Sequence, residues 1–285
     1  MAAVGWVVAL ISVLTGYVVP GGHLAILFQP FEVLIILGAA IGAFIVANPM
    51  RVVAGFGGAV GRLLKGPKYS KPHYLELLTA LFQILKIAKT KGLLALEQHV
   101  EKPDESPLFQ QFPKFASDHH AVAFLCDYLR LLSLGSDNPH DISDLFDQEL
   151  EAHHAEELQM ADAIGNLGDS MPALGIVAAV LGVIHTMGSI SEPPEVLGHL
   201  IGGALVGTFM GILMSYGFVS PIASGLRAVI SSEANYHNCM KAAILSHLHG
   251  YAPTISVEYA RKVLQPHLQP TFQEVEEATA ALPPA

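Results

Sequence analysis

Hydrophobic and polar positions divide the chain into four long apolar runs and two polar blocks. Ala2 to Val19 is apolar, and no formal charge appears before Glu32. An uncharged loop, Pro20 to Pro30, leads to a second apolar run from about Phe31 to Asn48, ended by Arg51. The third run, Ser170 to Ser191 (SMPALGIVAAVLGVIHTMGSIS), is closed by Asp169 and Glu192 and holds no Asp, Glu, Lys or Arg. At about 1.5 Å per residue it reaches roughly 33 Å, enough to cross a hydrocarbon core of about 30 Å. A turn from Glu192 to Glu195 precedes the fourth run, uncharged from Val196 to Leu226. The pattern predicts four transmembrane helices in two hairpins.

Small residues in these spans are ordered by face. In the third, Pro172, Gly175, Ala179, Gly182 and Thr186 recur at helical spacing, while Leu174, Ile176, Val177, Leu181 and Ile184 cover the other sides. The fourth carries Gly203, Gly207, Gly211 and Ser215 at every fourth position, with Ala204 and Thr208 on an adjoining stripe; the second has Gly38 and Gly42. Such faces let another backbone come close. An isolated glycine there means ordinary helix packing. A whole third-span face turned one way, opposite the stripe of Thr208, reads as a groove for a partner helix.

The spans are expected to hold no carboxylate. Only His185 and His199 are ionisable there, near the outer ends, where a core or interfacial role is the plain reading. An ion crossing at the small-residue face then needs a protonatable group from elsewhere, which predicts a partner subunit with a transmembrane Asp or Glu.

Composition agrees with a membrane protein. The chain is 52% hydrophobic and 14% charged, against about 25% charged for an ordinary soluble domain. The net charge of −10 argues against nucleic acid as a partner. Cys126 and Cys239 stand far apart and read as reduced thiols. The opening lacks the basic flank and cleavage site of a leader, so a retained first span is expected. All 15 Lys and Arg lie between Arg51 and Arg130 or between Arg227 and Lys262, which marks those blocks, and both termini, as cytoplasmic. The domain reading is therefore residues 1–49 for the first two spans, 50–168 for a cytoplasmic helical domain, 169–226 for the last two spans and 227–285 for cytoplasmic helices and tail.

Helical periodicity fills the polar blocks. His73 to Ala88 places Tyr74, Leu78, Leu81, Phe82 and Leu85 on one face, with Glu76, Gln83 and Lys86 off it and Gly92 as a cap. Further helices are predicted over about Leu93–Val100 and Ala116–Ser133, then a turn from Ser136 to Pro139. A long helix from Asp141, with a solvated acidic face, is expected to run on into the third span. Arg227 to Leu248 continues the fourth span, GYAPTISVEYARKVL holds a break and a short helix, and ALPPA ends in disorder. The fold class is all-α. No phosphate loop, zinc spacing or nucleophile with a base is found, so neither an enzyme, a metal nor a cofactor is expected. The pairs His119–His120 and His153–His154, and His247 with His249, read as solvated surface.

The strings GDSMPALGIVAAVLGVIHTMGS, GTFMGILMSYGFVSPIA, GYAPTISVEYARKVL and YVVPGGHLAILFQPFEVLIILGAAIGAFIVAN resemble the MotA family of flagellar motor stator proteins, and the likeness covers nearly the whole chain. The resemblance implies a ring of five such subunits in the bacterial inner membrane, around two helices of MotB that carry the ion-binding Asp. Ion flow would turn the ring against the rotor protein FliG. Residue by residue, it implies functional prolines at Pro172 and Pro221 and an ion-path threonine at Thr208. Where sodium-driven relatives carry a coordinating threonine, this chain has Ala179, which implies protons as the coupling ion. Its two rotor-facing charges match Glu97 and Lys89; the second is usually Arg, so a charge is kept without the planar fork. The sister reading is an energiser of the ExbB/TolQ kind, whose three spans fit less well. A self-contained channel is disfavoured by the expected lack of a carboxylate, and a structural scaffold is the remaining alternative.

Overall fold

The computed structural model describes residues 2–136 and 138–283. Asp137, in the expected turn, and Pro284 and Ala285, in the expected disordered end, lie outside the described residues. Within them the chain is helical and has no strand. The longer helices are α1 (Ala2–Val18), α2 (Pro30–Ala47), α3 (Met50–Lys65), α4 (Lys71–Lys91), α5 (His119–Ser133), α6 (Pro139–Met187), α7 (Pro194–Ile212), α8 (Ser220–Leu248), α9 (Pro253–Lys262) and α10 (Phe272–Ala280). A π-helical stretch, Leu213–Val219, joins α7 to α8. Among the described residues three helical stretches are long and apolar enough to cross a membrane, Leu24–Ala47, Pro139–Met187 and Pro194–Leu248. The apolar α1, at 17 residues, is shorter.

Contacts divide the chain into two compact units, Met1–Gly66 with Glu156–Val229, and Pro67–Ala155 with Ile230–Ala285. The apolar runs put boundaries near residues 49, 168 and 226, whereas packing carries the first unit further along each polar flank. Helix α3, which the hydrophobic pattern did not single out, is the reason. Its Arg51 bonds Gln159 at 2.8 Å and pairs with Glu156, and its Arg62 reaches Glu157 at 3.2 Å. Arg227 likewise reaches Asp162 at 2.8 Å. The acidic face of α6 is thus paired as well as solvated, a correction to the expectation.

The first unit has a small core of Ile36, Ala40, Phe44, Val52, Ala163, Leu167, Met171 and Ala178. Only 17%, 22% and 28% of the three apolar windows is buried within the chain, so most of their surface is left for lipid or other chains. Among the described residues no atom outside its own helix backbone lies within 4 Å of a Cβ built at Gly38 or Gly42, so that pair makes no close packing with another described helix.

The second unit is built around α4. The sequence reads this helix as one-faced, yet Leu77, Ala80, Gln83 and Ile84 are buried along with Tyr74, Leu78, Leu81 and Leu85, while Phe82 is half-buried. The extra cover comes from α9 and from α10, which the sequence reading did not place. The missed signal was the capping box of α10, in which Thr271 accepts from the Glu274 amide and Glu274 accepts from the Thr271 amide. Elsewhere the expected helix over Ala116–Ser133 starts late, at His119, because Asp118 caps it by accepting from the Ala121 amide. Gly92, at φ 84°, caps α4 as expected.

Candidate functional site

The small-residue faces of the third and fourth spans meet each other inside the chain. A Cβ built on Gly175 would fall 2.8 Å from the Gly207 carbonyl oxygen and 3.1 Å from the Gly211 Cα. One built on Gly211 would fall 2.6 Å from the Met171 carbonyl oxygen. No side chain fits at either position, so glycine sets this approach. Towards one end of the seam Gly182 faces Ala204, with 2.7 Å from its Cβ position to the Ala204 Cβ; at the other Gly168 faces Ser220 Oγ at 2.8 Å.

The expectation that one whole face of the third span turns to a partner is corrected in part. Gly175 is buried against the fourth span of its own chain, and Gly182 also packs there. Thr186 is buried and its hydroxyl donates to the Gly182 carbonyl at 2.9 Å. Pro172, Ala179 and Thr208 are half-buried, and Pro221 is exposed. His185 and His199 are exposed.

The two prolines sit differently. Pro172 lies inside α6 without ending it and removes the N–H that would bond the Gly168 carbonyl. Pro221 opens α8 directly after the π-helical stretch, whose wider turn relieves the clash of the proline ring with the carbonyl four residues back. Next to these turns the hydroxyls of Ser215 and Ser220 are buried without a hydrogen-bond partner. Glycine spacing signalled a close backbone approach but assigned it to a partner helix, and no sequence signal marks the π-helical stretch apart from Pro221 itself.

A larger correction concerns acid in the spans. Glu32 lies in the first turn of α2, inside the second apolar run, and its side chain enters the seam. A Cβ at Gly207 would stand 2.8 Å from its Oε2, and one at Gly182 would stand 3.2 Å from its Oε1. Oε2 is buried and has no hydrogen-bond partner. One turn earlier Gln29 Nε2 lies 2.8 Å from the Cβ position of Gly203 and donates to the Ile26 carbonyl at 3.2 Å. Glu32 follows Pro30 at a helix start, where an acid also complements the helix dipole, so nothing in the linear pattern marks it as turned into a seam.

The two charges read as rotor-facing are on the surface of the second unit. Lys89 donates to the Gly250 carbonyl at 3.3 Å, and Glu97 is exposed at the start of a short helix. Burial, and then the Lys89 ammonium, hold the His247 imidazole below its usual range. Among the described residues no three His, Cys, Asp or Glu side chains gather as a metal-ligand set.

Apolar helices long enough to span a bilayer, two of them locked by a glycine seam, define a helical integral membrane protein. Residues 3–92 match the family model described as Motility protein A N-terminal, and residues 117–238 match that of the MotA/TolQ/ExbB proton channel family. The chain belongs to the motility protein A family. It is 42% identical to Motility protein A of Escherichia coli (strain K12) over 98% of this chain and 94% of that one. It is 32% identical to Chemotaxis protein LafT of Vibrio parahaemolyticus over 95% of each. Among solved structures it is similar to the flagellar MotAB stator complex from Bacillus subtilis, with a TM-score of 0.73, 26% identity and coverage of 93% of this chain and 96% of that one. The fold is shared with MotAB of C. jejuni, at a TM-score of 0.76 and 21% identity over 93% and 95% of the two chains.

Proposed function

We propose that this chain is the stator subunit of a bacterial flagellar motor, which with MotB forms a proton-driven complex that turns the rotor. The observation that carries the reading is likeness along nearly the whole length to motility proteins A and to the MotAB stator fold. Four spans with both termini cytoplasmic fit the chain: α1 is entirely apolar, and 17 residues lie at the lower end of the about 17–25 that cross a bilayer. Five copies around a MotB pair, with Lys89 and Glu97 turned to FliG, complete the reading.

In this mechanism a proton from outside neutralises the MotB Asp, which moves along a wall that includes Pro172, Ala179 and Thr208. Release inside restores the charge, and the ring steps. The membrane field supplies about 2.3 kcal/mol per elementary charge per 100 mV, enough to bias two packings of similar energy. Pro172, which leaves a backbone carbonyl without its helical donor, is the point where the wall can bend. Ala179 offers no oxygen to a dehydrating sodium ion, so protons are the coupling ion and no cofactor is used.

The test is complementation of a motile bacterium lacking its own subunit. Swimming should stop with a protonophore and be indifferent to external sodium. Pro172→Leu should abolish torque with membrane insertion intact, and normal swimming by that variant refutes the role. Because Glu32 gives the chain a carboxyl of its own, a self-contained channel stays a second reading. Proton flux in liposomes holding this chain without MotB would favour it.

A further inference from the structure

We infer that Glu32 is a proton-binding group of the chain itself, exchanging a proton with the external side and setting the charge behind the ion-path wall. The inference rests on the stator reading above, which puts the start of α2 at the outer face.

Geometry distinguishes Glu32 from a structural acid. Its carboxylate is inserted between the third and fourth spans, against Gly182 and Gly207. Ala179, read as part of the wall, contributes the backbone nitrogen 3.0 Å from the same Gly207 Cβ position, so the acid and the backbone of that wall border one small space. An ionised carboxylate held there without a partner is costly in a low-dielectric setting, and a proton is the simplest ligand that removes the cost. No base faces it. The packed elements present Gly182, Ala178, Ala204 and Gly207; of the titratable groups of that end, His23, His185, Glu192, Glu195 and His199 are exposed, Tyr17 donates to the His23 carbonyl, and none bonds Glu32.

The seam does not offer the proton a way through. At Gly175 and Gly211 the two backbones touch, so the proton taken up from external water by the Glu32 carboxylate returns to the external side. That return regenerates the carboxylate, and charge balances. In the protonated state the wall carries no fixed negative charge near the passing MotB carboxylate. In the ionised state it does, and the two repel.

The experiment uses the full complex with MotB. Infrared difference spectra titrated with pH should show a protonated-carboxyl band that Glu32→Gln removes and Glu32→Asp keeps in shifted form. Proton flux against external pH should lose one titration step in Glu32→Gln, with flux at neutral pH changed at least several-fold, and Glu32→Asp should restore the step. Spectra without a band assignable to Glu32, or a Glu32→Gln variant with the wild-type flux profile, overturn the inference. The arms separate its failure from that of the stator reading. Absent flux in the wild-type complex defeats the stator reading, whereas the spectral band reports on Glu32 independently.

Discussion

Asp118 and Glu32 are inward-turned carboxylates, one in each unit, and their surroundings differ. Asp118 has its full set of partners: the Tyr69 hydroxyl donates to it, the Lys68 ammonium lies 2.8 Å away and the Ala121 amide bonds its other oxygen. Burial pushes its proton affinity up, but Lys68 and Tyr69 outweigh burial and hold the carboxyl below the usual range. Glu32 has no such set. The packing around them follows the same division. Near Asp118 the stacked rings of Tyr69 and Tyr236 lie 3.8 Å apart and large side chains fill the space, whereas near Glu32 backbone meets backbone. In water, large buried side chains stabilise by leaving the solvent, at roughly 1.5–3 kcal/mol each. In lipid that gain is absent, and close approach of small residues takes its place.

Five substitutions test this contrast. The largest effect is expected at Gly175→Leu, where a side chain must enter space held by the Gly207 carbonyl and the Gly211 backbone. Loss of the assembled complex on size-exclusion chromatography and loss of swimming should follow, and an intact complex would break the comparison. Asp118→Ala should lower stability by about 2–4 kcal/mol, through a lost helix cap and an unsatisfied Tyr69 hydroxyl, measured by denaturation of the full chain in detergent. Because the folded-state pKa of Asp118 is depressed, its contribution is complete above the usual value of about 3.9 and fades as pH falls through the folded value. The wild type should therefore lose its advantage over Asp118→Asn in that acid window.

Tyr69→Phe removes one of these bonds and should cost about 1 kcal/mol. Smallest of all is Thr271→Ala, which takes one cap from α10 and should cost at most about 1 kcal/mol, read as faster amide exchange over residues 272–280. Glu274 in the same cap is held at about 2 by the Lys71 ammonium and the Thr271 amide. Its contribution is thus present above about 4.3 and lost only as pH falls towards 2, so α10 should stay protected in mild acid.

Apolar length, charge placement and helical periodicity by themselves determined an all-helical membrane protein, small-residue faces that let a backbone come close, and the run of α6 from polar block into span. These are properties of a segment and its solvent, so a linear pattern carries them. Only tertiary structure decided what each small face meets, because spacing says that a backbone can approach and not which one. It also decided that α4 is covered on nearly every side, since α9 and α10 come from far along the chain. Glu32 is the sharpest case: in the sequence it is an acid at a helix start, and the burial of its Oε2 in a half-buried side chain depends on two spans more than a hundred residues away.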